Sequence, residues 1–422
     1  MPDILAMVIT MAERFLGAIE RAAARVPLRL SLPTLPLPPV SYFPGARSSS
    51  FDLELKARIL EFGSRAASNP NVAVVNSQRL DRTSPPDQRR DVTAEIASGF
   101  PYTLHHASAL GRALAELVAP PVPKKGLITD LDDTLWRGLV GEVGASGVTW
   151  DLDHKSHAHA LYQQMLASLA QSGVLLAVAS KNEASTVDQA FDVREELAAL
   201  RKSLYPMEVS WGPKSEAVGR ILRAWNIAPD SVVFIDDSPL ELAEVHASWP
   251  ELTCIRFPKE SDAQVYGLLE QLRDSFGKAT ISAEDSLRSD SLRHAEAFWE
   301  ERAAQSDPDQ FLAQLDAELT LNFAREPLDP RVLELINKTN QFNLNGRRFS
   351  QGDWLSYLNA PGAWLATVGY KDKFGPLGTI GAIAGQRGAA SAALTVEAWV
   401  LSCRAFSRRI EHACLRAVFD RF

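Results

Sequence analysis

The stretch GLITDLDDTLWRGLVGEVG (Gly126–Gly144) decides how this chain is read. Leu127 and Ile128 begin a short apolar strand that delivers Asp130 and Asp132, with Thr134 just beyond. The C-terminal end of a strand is where an α/β sheet opens into a ligand crevice. Two carboxylates one residue apart at that point can divide nucleophilic from acid/base work. Taken alone, the same letters also describe an acidic turn after a buried strand. Partners further along the chain decide between the two.

Working outward, apolar strands are expected at Leu127–Thr129, Val174–Ala179, Val232–Ile235 and Leu252–Phe257. Helical spacing covers Ala158–Ser172, with Leu161, Met165, Leu166 and Leu169 on one face, then Lys214–Trp225 and Leu240–Ala247. Strands alternating with helices predict an α/β fold with a parallel, doubly wound sheet. The second strand runs into Ser180, Lys181 and Asn182, a hydroxyl and backbone N–H groups suited to a phosphoryl oxygen. Lys214 opens a helix in WGPKSEA, where a cation can neutralise both a phosphate and a neighbouring carboxylate. The run SVVFI delivers a second acid pair, Asp236 and Asp237. Carboxylates converging on one crevice repel one another unless a cation lies among them, and hard oxygen ligands favour Mg2+. Singly, Ser180 reads as a loop serine, Lys214 as a surface lysine and Asp236–Asp237 as a solvated turn. Their joint placement at strand ends and a helix start favours a site.

The 422 residues are too many for one ordinary core, and 46% hydrophobic with 23% charged residues is a soluble globular balance. No apolar run spans a bilayer, and the N-terminus, with Glu13 and Arg14 inside its apolar stretch, reads as an amphipathic helix and not a signal peptide. Cys254, Cys403 and Cys414 are too few and too scattered for a disulfide scaffold or a zinc site, which makes a cytoplasmic protein the simplest reading. A formal net charge of −8 argues against general nucleic-acid binding. The breaker Ala119–Pro123 suggests a boundary after residues 1–120, which hold helices, a proline-rich run from Pro27 to Gly45 and a short strand at Asn71–Asn76. A helix from about His106 to Val118 precedes that breaker. Residues 121–280 would be the central domain, 281–308 a helical connector, and 309–422 a mixed α/β domain with strands at Leu319–Phe323, Trp364–Val368 and Leu394–Leu401.

The ordered set DLDDT (Asp130–Thr134), Ser180, Lys214 and IDD (Ile235–Asp237) resembles the haloacid dehalogenase (HAD) superfamily over about residues 124–260. The resemblance implies that Asp130 is the nucleophile that takes the phosphoryl group, and that Asp132 protonates the leaving group and then deprotonates water. It further implies that Thr134, Ser180, Asn182 and Lys214 surround the phosphoryl oxygens. Asp236 and Asp237 would complete a Mg2+ site with the Asp130 carboxylate and the Asp132 carbonyl. The segments Thr134–Ala158 and Asn182–Gly212 are too short for a cap domain, so a tethered or macromolecular substrate is expected to cover the site.

Four further motifs in order, LWRGLVGEVG, INKTNQFNLNGRRFS (Ile336–Ser350), KDKFGPLGTIGAI (Lys371–Ile383) and WVLSCRAFSRRIE (Trp399–Glu411), resemble the FkbH-like branch. That resemblance implies a small phosphorylated donor, 1,3-bisphosphoglycerate, whose glyceryl group passes to a phosphopantetheinylated acyl carrier protein in polyketide pathways. Neither nucleic acid nor membrane is an expected partner. The N-terminal segment resembles the latter part of an SGNH-hydrolase-like domain without its nucleophile block; His105 and His106 have no evident serine partner, so the segment reads as noncatalytic. The C-terminal segment resembles the start of a GNAT-like acyltransferase domain and is expected to be incomplete at Phe422. Arg137 stands where the family often has glycine, and Asp133 where it often has asparagine.

Cys403, beside Arg404, Arg408 and Arg409, is a candidate acyl relay, the competing reading being a small buried residue. Cys254 reads as core. Asn340, Gln341, Asn343 and Asn345 beside Arg347 and Arg348 suit a polyol and a phosphate, against an Asn-rich turn. His154, His157 and His159 read as a solvated helix start and not a metal site. Two other functions stay open: a stand-alone small-molecule phosphatase, and a transfer-inactive scaffolding protein.

Overall fold

The computed structural model describes residues 2–32, 47–278, 298, 301–302, 308–326, 329–339, 342–388, 393–402 and 405–422. Contacts divide it into two units, Met1–Val122 and Pro123–Phe422. In the first, the amphipathic helix Pro2–Ala23 and the helix Ser50–Ala67 enclose a small core of Leu16, Ala23, Ala66 and Val72. Strand β1 (Leu28–Leu30) pairs in parallel with β2 (Val72–Val74). β2 lies inside the expected strand, whereas β1 occupies the start of the proline-rich run, where no strand was expected. Helices Ser77–Thr83, Val92–Ser98 and Leu104–Val118 complete the unit.

The second unit begins with a five-stranded parallel sheet in the order β5-β4-β3-β6-β7. Its strands are β3 (Gly126–Thr129), β4 (Leu175–Ser180), β5 (Leu204–Val209), β6 (Val232–Asp236) and β7 (Thr253–Arg256). Successive side chains leave opposite faces of a strand, so a sheet covered on both sides needs continuous apolar runs. β6 illustrates this: Val233 and Ile235 pack in one core, Val232 and Phe234 in the other. The first core is closed by helices His157–Gln171 and Asp262–Phe276, the second by Lys214–Trp225 and Pro239–Ser248. The chain winds from β3 to one side through β4 and β5, then returns to β6 and β7 on the other. The order reverses at β3, and connections diverge there to open a crevice at the carboxyl ends of the strands.

The C-terminal part is an antiparallel sheet in the order β11-β10-β9-β8, from β8 (Glu318–Asn322), β9 (Ala363–Asp372), β10 (Gly375–Arg387) and β11 (Leu394–Leu401). Helices Pro330–Lys338 and Gln351–Asn359 cover one face through Val332, Ile336 and Trp354. Helix Ile410–Arg421 covers the other through Ile410, Cys414 and Val418. The expected connector at 281–308 lies almost wholly outside the described residues. Among the described residues no helix is long and apolar enough to cross a membrane.

Candidate active site

Sheet register brings the separate acids together. The Asp130 N–H donates to the Ile235 carbonyl at 2.9 Å, which sets the residue after β3 level with Asp236 at the end of β6. Ser180 ends the neighbouring β4. Lys214, the first residue of its helix, is 4% exposed and reaches between the two acids. Its Nζ lies 3.0 Å from Asp130 Oδ1 and 2.6 Å from Asp236 Oδ2. The other Asp236 oxygen accepts from Ser238 N at 2.9 Å.

One ammonium between two buried carboxylates leaves the cluster anionic. Burial, opposed by Lys214 and reinforced by Asp236, pushes Asp130 up to about 7. Asp236 is also raised, again chiefly by burial against the pull of Lys214. Burial disfavours the Lys214 charge too, but the two carboxylates prevail and raise it. Asp130 Oδ1 is buried and, despite the nearby Lys214, has no hydrogen-bond partner in good geometry among the described residues. Oxygens of Asp130, Asp236 and Asp237 lie within 4.8 Å of one another, the one such cluster among the described residues. An orphaned buried oxygen among hard carboxylate donors fits a hard divalent cation.

The Asp132 carboxylate is not part of that cluster. Its Oδ1 accepts from Trp136 Nε1 at 2.9 Å and from Val140 N at 3.1 Å, and its Oδ2 accepts from Asn182 Nδ2 at 3.1 Å. Asn182 Nδ2 also donates to Ser180 Oγ at 3.2 Å, joining two of the predicted site residues. Asp133, at a left-handed φ of 52°, accepts from Gly138 N at 2.8 Å. Gly138 itself has φ 105°, a conformation only glycine adopts without strain. These contacts explain the LWRGLVG segment: a ring N–H and two backbone N–H groups curl back onto the acids of the loop. Thr134 is fully buried; its Oγ1 has no hydrogen-bond partner, and its carbonyl meets His159 Nδ1 at 2.9 Å.

Sequence reasoning missed Trp136 and Lys259. Lys259 Nζ lies 2.7 Å from both Asp133 Oδ2 and Asp237 Oδ2, bridging the two acidic loops. Burial would raise Asp133, but the Lys259 and Gly138 hydrogen bonds hold it below the usual carboxylate range. Neither residue has a spacing signal, because each acts across a loop. His159 corrects another expectation: it is buried, stacked 5.0 Å from the Phe257 ring, and not part of a solvated helix start. Burial lowers its pKa. Only His154 is well exposed, paired with Asp151, while His157 is half-buried beside Asp262.

Among the described residues neither segment flanking the site inserts a cap domain. Residues 134–157 contain one short helix, Val140–Val143, and residues 182–212 contain helices Ala184–Val193 and Ala198–Arg201 with β5. Arg137 is exposed and donates to the His154 and Lys155 carbonyls, each at 3.1 Å, so it ties the loop to the following turn.

Cys403, Arg404, Asn340 and Gln341 lie outside the described residues. Arg347 pairs with Glu397 and lies 4.6 Å over the Phe349 ring. Arg348 donates to the Ile336 and Thr339 carbonyls at 2.8 and 2.9 Å. The Asn343 and Asn345 amides likewise bond backbone carbonyls of Ile336, Thr339, Val396 and Glu397. Cys254 is half-buried against the second sheet core, and burial pushes its thiol up to about 11. In the N-terminal unit His106 does have a serine neighbour: Ser84 Oγ lies 3.0 Å from its Nδ1. Both are enclosed, at 0% and 2% exposure, so the contact is one of packing.

No family model and no curated protein matches the chain. Among solved structures it is similar to the N-terminal part of a Bacteroides fragilis protein containing a phosphatase domain, crystallised with Mg. The TM-score is 0.54 at 20% identity, over 65% of this chain and 74% of that one. Likeness at this identity shows the fold: the parallel, doubly wound sheet that the alternation of strands and helices predicts. An uncharacterised Corynebacterium glutamicum protein matches at 15% identity over 37% of this chain and 99% of its own, with a TM-score of 0.26 that carries no argument.

Proposed function

We propose that this chain is a Mg2+-dependent phosphoryl-transfer enzyme of the HAD type, with Asp130 as nucleophile. The observation that carries the reading is the pair of buried carboxylates sharing Lys214, at 3.0 and 2.6 Å, where the sheet order reverses. Phosphoryl transfer needs an in-line nucleophile, cations on the equatorial oxygens and a proton for the leaving group. Asp130 supplies the first, and Lys214 with Ser180 holds the phosphoryl oxygens. Asp132 gives a proton to the leaving oxygen and later takes one from water. Asp130, Asp236, Asp237 and the Asp132 carbonyl would hold Mg2+, which when bound neutralises charge between nucleophile and phosphoryl group. A second cation also suits the acidity of the cluster, since Asp130 at about 7 is only partly ionised near neutrality. The magnesium in the Bacteroides fragilis phosphatase-domain crystals supports that choice of ion.

The uncapped site and the four FkbH-like motifs support a tethered substrate: a glyceryl unit from 1,3-bisphosphoglycerate, loaded onto the phosphopantetheine thiol of an acyl carrier protein. In that reading the phosphate is removed at Asp130, Cys403 relays the acyl group, and Asn340, Arg347, Arg348 and Arg404 recognise donor or carrier. Intact-mass analysis of a holo carrier protein incubated with the donor, Mg2+ and this chain tests it. A glyceryl thioester is the expected product. Free phosphate without thioester reduces the reading to a small-molecule phosphatase, and neither product leaves a scaffold.

A further inference from the structure

We propose that Trp136 is a positioning residue that fixes the acid/base carboxylate of Asp132 and assigns its transferable proton to Oδ2. The inference rests on the reading of Asp130 as nucleophile and Asp132 as acid/base. A carboxylate oxygen offers two lone-pair directions. On Asp132 Oδ1 both are taken, by Trp136 Nε1 at 2.9 Å and Val140 N at 3.1 Å. On Oδ2, among the described residues, only one is taken, by Asn182 Nδ2 at 3.1 Å. A proton on Oδ1 would displace a donor with nowhere else to go. Trp136 is 0% exposed, and its ring meets Phe191 edge-on at 5.6 Å, so the indole N–H cannot swing to water. Asn182 is equally committed, because the same amide nitrogen donates to Ser180 Oγ at 3.2 Å. Oδ2 is therefore the oxygen with room for the proton.

The step balances. A carboxylate oxygen of Asp130 bonds to phosphorus as the bond to the leaving oxygen breaks, and that oxygen takes the proton from Asp132 Oδ2. In the second half water bonds to phosphorus, the Asp130–phosphorus bond breaks, and the water proton returns to Oδ2. The indole N–H only donates a hydrogen bond and is never transferred.

The test separates proton donation from general damage through the leaving group. A p-nitrophenolate departs with little protonation, whereas an alkoxide needs the proton. In the Mg2+-loaded protein, Trp136→Phe is expected to lower kcat on ethyl phosphate about 100-fold and on p-nitrophenyl phosphate less than about 5-fold, with KM unchanged. In an Asp132→Asn background the same change is expected to cost nothing further. Equal losses on both esters, or a large further loss beside Asp132→Asn, overturn the assignment. Should the Phe variant fail to fold, 3-benzothienylalanine at position 136 keeps the ring shape without the N–H and must give the same leaving-group split. A wild-type protein that hydrolyses neither ester breaks the phosphatase reading and the inference with it. A loss blind to the leaving group breaks the inference alone.

Discussion

Both halves of the second unit bury a charged cluster, and they balance it differently. In the C-terminal sheet Arg408 Nε meets Asp372 Oδ2 at 3.0 Å, with both side chains at most 2% exposed. The guanidinium lies 3.8 Å over the Phe298 ring, and Asp372 also accepts from Phe374 N at 3.0 Å. Among the described residues one cation faces one anion there. In the parallel sheet one ammonium answers two buried carboxylates, and Asp130 is pushed up to about 7. Opposite charges offset one another in the first cluster; an anionic excess in the second stores a demand for a further cation. The first arrangement belongs to structure and the second to chemistry.

The comparison breaks most sharply at the two aspartates. Asp130→Asn removes the proposed nucleophile, and phosphate release is expected to fall at least about 1,000-fold, because no covalent phosphoryl acceptor is left. Melting should hold or rise, since the carboxylate deleted is one that burial disfavours. Asp372→Asn is expected to do the reverse to stability. It removes the carboxylate that faces the buried Arg408 guanidinium, at a cost of about 3–5 kcal/mol read as a lower melting temperature. If Asp130→Asn destabilises as strongly as Asp372→Asn, the distinction between the clusters is wrong.

Charge excess also has a pH signature. Folded Asp130 holds its proton up to about 7, against an ordinary 3.8. Between those values the folded state binds more protons than the unfolded, so stability falls as pH rises through that window. In chelator, the melting temperature of the parallel-sheet domain is expected to drop from pH 5.5 to 7.5, and Asp130→Asn should remove much of the slope. Mg2+ at a hundred times its dissociation constant at pH 7.5 should restore about 2.7 kcal/mol there, and the same concentration should restore less at pH 5.5, where Asp130 is protonated. A Mg2+ effect independent of pH would place the ion elsewhere.

The unbalanced cluster was the more legible of the two in sequence. Asp130, Ser180 and Asp236 each follow an apolar run, and Lys214 opens an amphipathic helix, so period and punctuation alone located them. Elements without those signals were missed. β5 (LYPMEV) is mostly half-buried and carries a proline, and so lacks the apolar run that marked its neighbours. β10 is likewise absent from the expected strands; its glycines interrupt the apolar pattern, yet the packing demands them. A Cβ on Gly381 would lie 2.5 Å from the Leu401 side chain, and one on Gly385 would lie 1.9 Å from the Thr395 carbonyl. The partners that finish the site, Trp136 on Asp132 and Lys259 on Asp133 and Asp237, meet across loops whose spacing follows no helical or strand period. Arg408 and Asp372 are likewise joined only by the fold.

Lys259 offers the finest test of the charge argument. It is partly exposed and lies 2.7 Å from Asp237 Oδ2 and from Asp133 Oδ2, so it already supplies some of the positive charge the cluster lacks. Because the pair is open to solvent, Lys259→Met should change stability by less than about 1 kcal/mol. Its effect on the ion should be larger in proportion. Removing a unit positive charge a few ångströms from the carboxylates is worth about 1 kcal/mol at the screening of bulk water, and so strengthens Mg2+ binding about fivefold. Half-activation by Mg2+ is therefore expected at a lower concentration in Lys259→Met, with the gap closing as salt is raised. A variant that needs more Mg2+ would mean that Lys259 holds Asp237 in place for the ion and does not compete with it. The shared carboxylate would then be governed by geometry before charge.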